Sequence, residues 1–231
     1  MIYKYRMALI FILLCSSSCS NISGFENYRY NPFQFPYSEY YLKADQISNI
    51  EIDNIKNEVE HLSVFGVDIK IGKNSFDEVL KNKNLSSPFV LKNKGKLVLL
   101  ANYHEESLMG CNSQQSKDAH KDFCSAFSSS QEFNTKLFLL TPHDNNETRK
   151  LNDGDLWIIH RKGLVFEKTQ KISIYQLENL TAFRQDLKEN ASGKIQIHIF
   201  KNSISPNSIE IILFEKNESL VDMILSSMNK N

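Results

Sequence analysis

Apolar and polar residues alternate one by one in several stretches of this chain, and that period of two is the pattern of a half-buried strand. In VDIKIG, Val67, Ile69 and Ile71 alternate with Asp68 and Lys70. PFVLKNKGKLVLLANY reads as two strands hinged at Asn93-Lys94-Gly95, KISIYQL as another, and KIQIHIFKN with SIEIILFEKN as a pair joined across Ser205-Pro206-Asn207. KLFLLTP reads as a buried strand and HDNNETRKLNDGD as a surface turn. DLWIIHRKGLVFEKT reads as a hairpin around Arg161-Lys162-Gly163, with the sole tryptophan, Trp157, anchored in the core.

Other stretches repeat at helical spacing. Ile52, Ile55, Val59 and Leu62 recur in IEIDNIKNEVEHLS, with charged and polar residues filling the opposite face. Ser75 followed by Glu78 is a capping-box start for a short helix burying Phe76, Val79 and Leu80. Leu177, Leu180, Phe183 and Leu187 mark a helix ending before Gly193, and Leu220, Val221, Ile224, Leu225 and Met228 share one side of a closing helix. The expected fold class is α+β: a mixed, largely antiparallel sheet with a few helices packed on it. The order strand, helix, strand, strand runs from about Val67 to Leu100 and again from about Lys171 to Phe214, which raises two like β-α-β-β units, although residue identity between them is negligible.

The N-terminus follows another logic. Lys4 and Arg6 precede an apolar run from Met7 to Cys15, after which the chain turns to Ser16, Ser17 and Ser18, the layout of an export signal. A membrane span needs about 20 apolar residues, roughly twice this run. The stretch Leu13-Leu14-Cys15-Ser16-Ser17-Ser18-Cys19 resembles the lipobox of bacterial lipoproteins, in which a small residue precedes a required cysteine that receives diacylglycerol. The resemblance covers about the first 20 residues and implies cleavage between Ser18 and Cys19, lipidation of Cys19, and a membrane partner reached through the N-terminal lipid. It departs from the family at Ser16, where leucine is usual; ordinary cleavage near Ser20 or Asn21, with a soluble product, is the alternative. Ser20 rather than Asp after the cysteine implies, by the same resemblance, an outer-membrane or periplasmic-face location if the organism has two membranes.

On this reading residues 1–18 are the signal, 19–45 an aromatic-rich lipid-anchored tether, and 46–231 a single α+β domain, with a subdivision conceivable near 104–131. The tether carries Tyr28, Tyr30, Phe33, Phe35, Tyr37, Tyr40 and Tyr41 around Pro32 and Pro36. Flexible linkers are poor in aromatics, so this segment either straps across its own domain or offers a recognition surface to an envelope protein or glycan. The whole chain has 27 basic and 27 acidic residues and no clustered basic stripe, which excludes a broad electrostatic footprint for nucleic acid.

Cys111 and Cys124, in CNSQQSKDAHKDFC, read in an exported protein as a disulfide closing a loop of about 14 residues, worth on the order of 3 kcal/mol. The rival is a metal site using Cys111, His120 and Cys124 with His104. The absence of CxxC and HExxH favours the disulfide, so no metal or cofactor is expected. His160-Arg161-Lys162 resembles the HxK of phospholipase D-like enzymes, but Glu167 stands where Asp belongs and there is no second copy. Asp144-Asn145-Asn146 opens like a calcium loop, and Thr148 and Arg149 then break it. Asp153-Gly154-Asp155 is explained by a turn. His198 shares its phase with Lys194 and Gln196, the expected solvated side of its strand. No catalytic residue is assigned. The expectation is a non-catalytic binding or assembly component of the cell envelope, with a hydrolase built from dispersed residues, or a soluble secreted effector, as alternatives.

Overall fold

The computed structural model of the chain describes residues 37–50, 58–80, 87–104, 127, 129–145, 150–201 and 207–230. Among the described residues ten strands and three α-helices occur. The strands are β1 (Asp45–Ile47), β2 (Val59–Val64), β3 (Val67–Gly72), β4 (Glu78–Leu80), β5 (Phe89–Asn93), β6 (Lys96–His104), β7 (Thr169–Gln176), β8 (Leu180–Leu187), β9 (Ile195–Lys201) and β10 (Ser208–Leu213). The helices are α1 (Ser130–Leu139), α2 (Asp153–Val165) and α3 (Glu218–Asn229). Eight strands make one mixed sheet in the order β1-β7-β8-β9-β10-β6-β5-β4, and β2 and β3 form a separate hairpin. Only the β1–β7 pair is parallel, so the fold is α+β with a largely antiparallel sheet.

Each face of the sheet carries a core, the second of them over β7, β8 and β9. On one face the hairpin and α3 pack as a layer: Leu62, Val64, Ile69 and Ile71 share a core with Leu91, Leu99, Ile197, Ile211, Val221, Ile224 and Leu225. On the other, α1 and α2 bury Phe138, Leu156, Ile159 and Phe166 against Ile172, Ile174, Phe183 and Phe200. Each helix starts on a side-chain cap, with Ser129, Asn152 and Asn217 accepting from the backbone N–H three residues on. Both described tight hairpins turn on paired positive φ angles, at Phe65-Gly66 and Lys94-Gly95. That is the turn whose twist matches flanking strands, and it explains glycine at its second position.

Several expected elements differ. Residues 153–165, read as a hairpin, are α2, and Lys162 is a fully buried helix residue, not a turn residue. Most of KLFLLTP is the end of α1. Leu180–Leu187, read as helix, is strand β8, so the expected second β-α-β-β unit is a four-stranded meander, β7 to β10. Val59 and Leu62, read as part of a helix, lie in β2, and Glu78–Leu80 is strand β4 preceded by a 3-10 turn at Lys73–Ser75. Trp157 is half-buried and packs against the second core, in a helix rather than a strand, with Arg161 over its ring at 5.3 Å.

Candidate functional site

Alternation along β9 and β10 sends Ile195, Ile197 and Ile199, with Ile209 and Ile211, into the core beneath the hairpin and α3. The intervening residues, Gln196 and His198 on β9 and Glu210 on β10, therefore face the other side of the sheet. Register then does the assembly. Glu210 stands opposite His198 on β9 and opposite Asn102 on β6, and Ser208, two residues before it, stands opposite His104. The result is a polar cluster centred on the Glu210 carboxylate.

Asn102 Nδ2 donates to Glu210 Oε2 at 2.9 Å, and His104 Nε2 stands 3.4 Å from the same oxygen. Gln196 Nε2 donates to Oε1, and His198 Nε2 is 3.6 Å from it. Burial alone would raise the Glu210 carboxyl; the Asn102 donor, the nearby His198, and the Gln196 and His104 donors outweigh it and hold the group below the ordinary carboxylate range. His198 is only 7% exposed, contrary to its expected solvated position. Burial lowers its pKa, opposed by Glu210 and reinforced by His104, so the ring favours its neutral form. Its Nδ1 is buried without a hydrogen-bond partner among the described residues. Glu210 is thus a charged acceptor held by Asn102 and Gln196, and the neutral His198 ring beside it makes its closer polar contact to Gln196 Nε2, at 3.3 Å.

The residues marked in the sequence scatter by comparison. Ser18, Cys19, Tyr28, Tyr30, Phe33, Phe35, Cys111 and Cys124 lie outside the described residues. Tyr37 is exposed, Tyr40 is buried, and the Tyr41 ring lies 4.8 Å from His143. The segment from Tyr37 into β1 is integral to the fold: Ala44 N donates to Phe138 O at 3.1 Å, and Lys162 Nζ donates to Leu42 O. His160 lies beside Tyr40, with ring centroids 6.2 Å apart. Lys162 points into the core, so His160 and Lys162 do not present a joint surface. Asp144 caps its own 3-10 turn, accepting from Thr141 N and Oγ1 at 2.7 and 2.9 Å. Asp155 is buried in α2, whose cap is Asn152.

Among the described residues no group of three His, Cys, Asp or Glu side chains could hold a metal ion. No described helix is long and apolar enough to cross a membrane. The shared phase of Gln196, His198 and Glu210 was visible in the sequence; the contribution of β6, 108 positions from β10, was not. The fold makes this an α+β protein, and no protein-family model, curated protein or solved structure matches the chain.

Proposed function

We propose that this chain is an exported, lipid-anchored component of a bacterial cell envelope that binds a polar partner, an envelope protein or glycan, in an assembly rather than a catalytic role. The Glu210-centred cluster carries the binding part of this reading: it reaches the surface at the His104 side chain, 40% exposed, and the Asn102 and Gln196 amides behind it hold the carboxylate that His104 approaches. The location rests on the basic, apolar and serine-rich N-terminus ending at Cys19.

The test is palmitate labelling with membrane fractionation of the full chain and Cys19→Ser, together with photo-crosslinking in cells from the position of His104. Labelling lost in Cys19→Ser and a discrete crosslinked partner that disappears in Glu210→Ala support the reading. Equal labelling of both chains, or crosslinks indifferent to Glu210→Ala, defeat it.

A second reading, a hydrolase with a dispersed site, draws on His198, whose Nε2 stands 3.3 Å from Gln196 Nε2 and 3.6 Å from the Glu210 carboxylate and whose buried Nδ1 finds no partner among the described residues. It requires turnover of an ester, amide or glycoside that His198→Gln abolishes while partner crosslinking persists.

A further inference from the structure

Among the described residues the two most exposed large apolar side chains are Leu164 at 64% and Tyr37 at 63%, and both flank one contact. The Tyr40 ring lies against Gly163, the residue before Leu164, and the Tyr37 ring is 5.9 Å from the Tyr40 ring. The inward side of α2 is already filled by Leu156, Ile158, Ile159, Lys162 and Phe166, so Leu164 is left over on its outward side.

We infer that this corner, Tyr37 with Leu164, rests on the surface of the bilayer that holds Cys19; the inference depends on the lipid-anchor reading above. Tyr37 is where the chain coming from Cys19 enters the described fold. A chain reaches at most about 3.5 Å per residue, so among the described parts of the fold this corner is the one the anchor holds within the shortest reach of the membrane. A tyrosine beside an exposed aliphatic side chain matches the residue types that settle at the headgroup boundary. Exposed Arg161, Lys168 and Glu167 bring both signs of charge to the neighbourhood, so apolar insertion rather than attraction to anionic lipid supplies the contact.

The experiment uses the full chain, acylated in cells, purified and reconstituted into phosphatidylcholine vesicles with or without brominated acyl chains. Trp157→Phe removes the sole native indole. Into that background Leu164→Trp places one at the proposed contact, and Glu78→Trp places one in β4, at the opposite edge of the sheet from β1. Matching thermal melts establish that both variants are folded. Brominated lipid is expected to quench the indole at position 164 at least about twofold more than the one at position 78, with little change when anionic lipid is added. Equal quenching at the two positions in a chain that carries palmitate overturns this inference and leaves the anchor reading intact. A chain that takes up no palmitate and stays out of the vesicles defeats the anchor reading and this inference with it.

Discussion

The ring of Tyr40 occupies the space that a Cβ on Gly163 would fill, so the glycine inside α2 is the seat for an aromatic side chain delivered by the N-terminal segment. Alanine there should gain up to about 1 kcal/mol in helix propensity and lose about 1–3 kcal/mol by overpacking. Gly163→Ala is therefore expected to lower the melting temperature. In a Tyr40→Ala background, where the ring is gone, the same substitution should be neutral or stabilising. A double-mutant cycle in urea checks this reversal of sign; additive effects would show that the ring does not depend on the glycine.

Arg184 is buried on β8 and holds Glu218, in the first turn of α3, through two bonds of 2.6 Å, with Asp186 and the Tyr175 hydroxyl as further partners. The partners differ in exposure, 6% for the Arg184 side chain and 67% for that of Glu218. Arg184→Met removes the guanidinium from the part-buried Asp186 carboxylate and the buried Tyr175 hydroxyl and should cost roughly 2–3 kcal/mol, whereas Glu218→Gln should cost about 1 kcal/mol or less after solvent screening. The Arg184 bonds hold the Glu218 carboxyl below its ordinary range, so this smaller contribution is present at neutral pH and fades as pH falls through the folded-state value. Urea melts at pH 7 and pH 3 test both statements.

Lys162 is enclosed in the core, donates to the Leu42 carbonyl, and is lowered by burial from 10.5 to about 7, with Asp144 opposing the shift and Lys43 adding to it. Between those values the unfolded chain binds the extra proton, so this group makes stability rise with pH across the window and contributes no slope below it. The limiting slope is about 1.4 kcal/mol per pH unit. Wild type is expected to gain on Lys162→Met between pH 7 and pH 9.5 in guanidinium titrations. A constant difference across that range would mean that Lys162 keeps an ordinary pKa.

The Glu210 carboxylate is one of the influences that favour the charged form of His198, against its burial. Glu210→Gln should lower the His198 pKa further, a shift read directly by NMR titration of the imidazole carbons. Both groups titrate below their ordinary values, so each contributes stability present at neutral pH and lost as pH falls through its folded-state value. His198→Phe should blunt the first part of that acid loss. A His198 pKa that rises in Glu210→Gln would contradict the arrangement.

Periodicity was legible wherever an element has one wet face. VDIKIG alternates because one side meets the core and the other is wet, KIQIHIF and SIEIILF because polar residues stand between their core isoleucines even where, as at His198, they are buried, and α3 repeats Leu220, Ile224 and Met228 because only one stripe is buried. Strand β8 defeated the same reasoning: sandwiched between the two layers, it buries Thr181, Arg184 and Gln185 with its apolar residues and has no polar face to alternate with. The start of α1 was available locally, as Ser129 followed by Glu132, and so was Asn152 before Asp155 at α2. The apolar runs LFLL and LWII masked both signals by looking like strands.

Taken alone, then, the order of residues determined the α+β class, the hairpin at Lys94-Gly95 and the closing helix, because each depends on neighbours within a few positions. It did not determine that Gly163 seats Tyr40, that Lys162 turns inward to Leu42, or that Asn102 and His104 join Gln196, His198 and Glu210. Those pairings link segments far apart in the chain, and strand order and layer stacking, which come from burying whole apolar faces together, decided them.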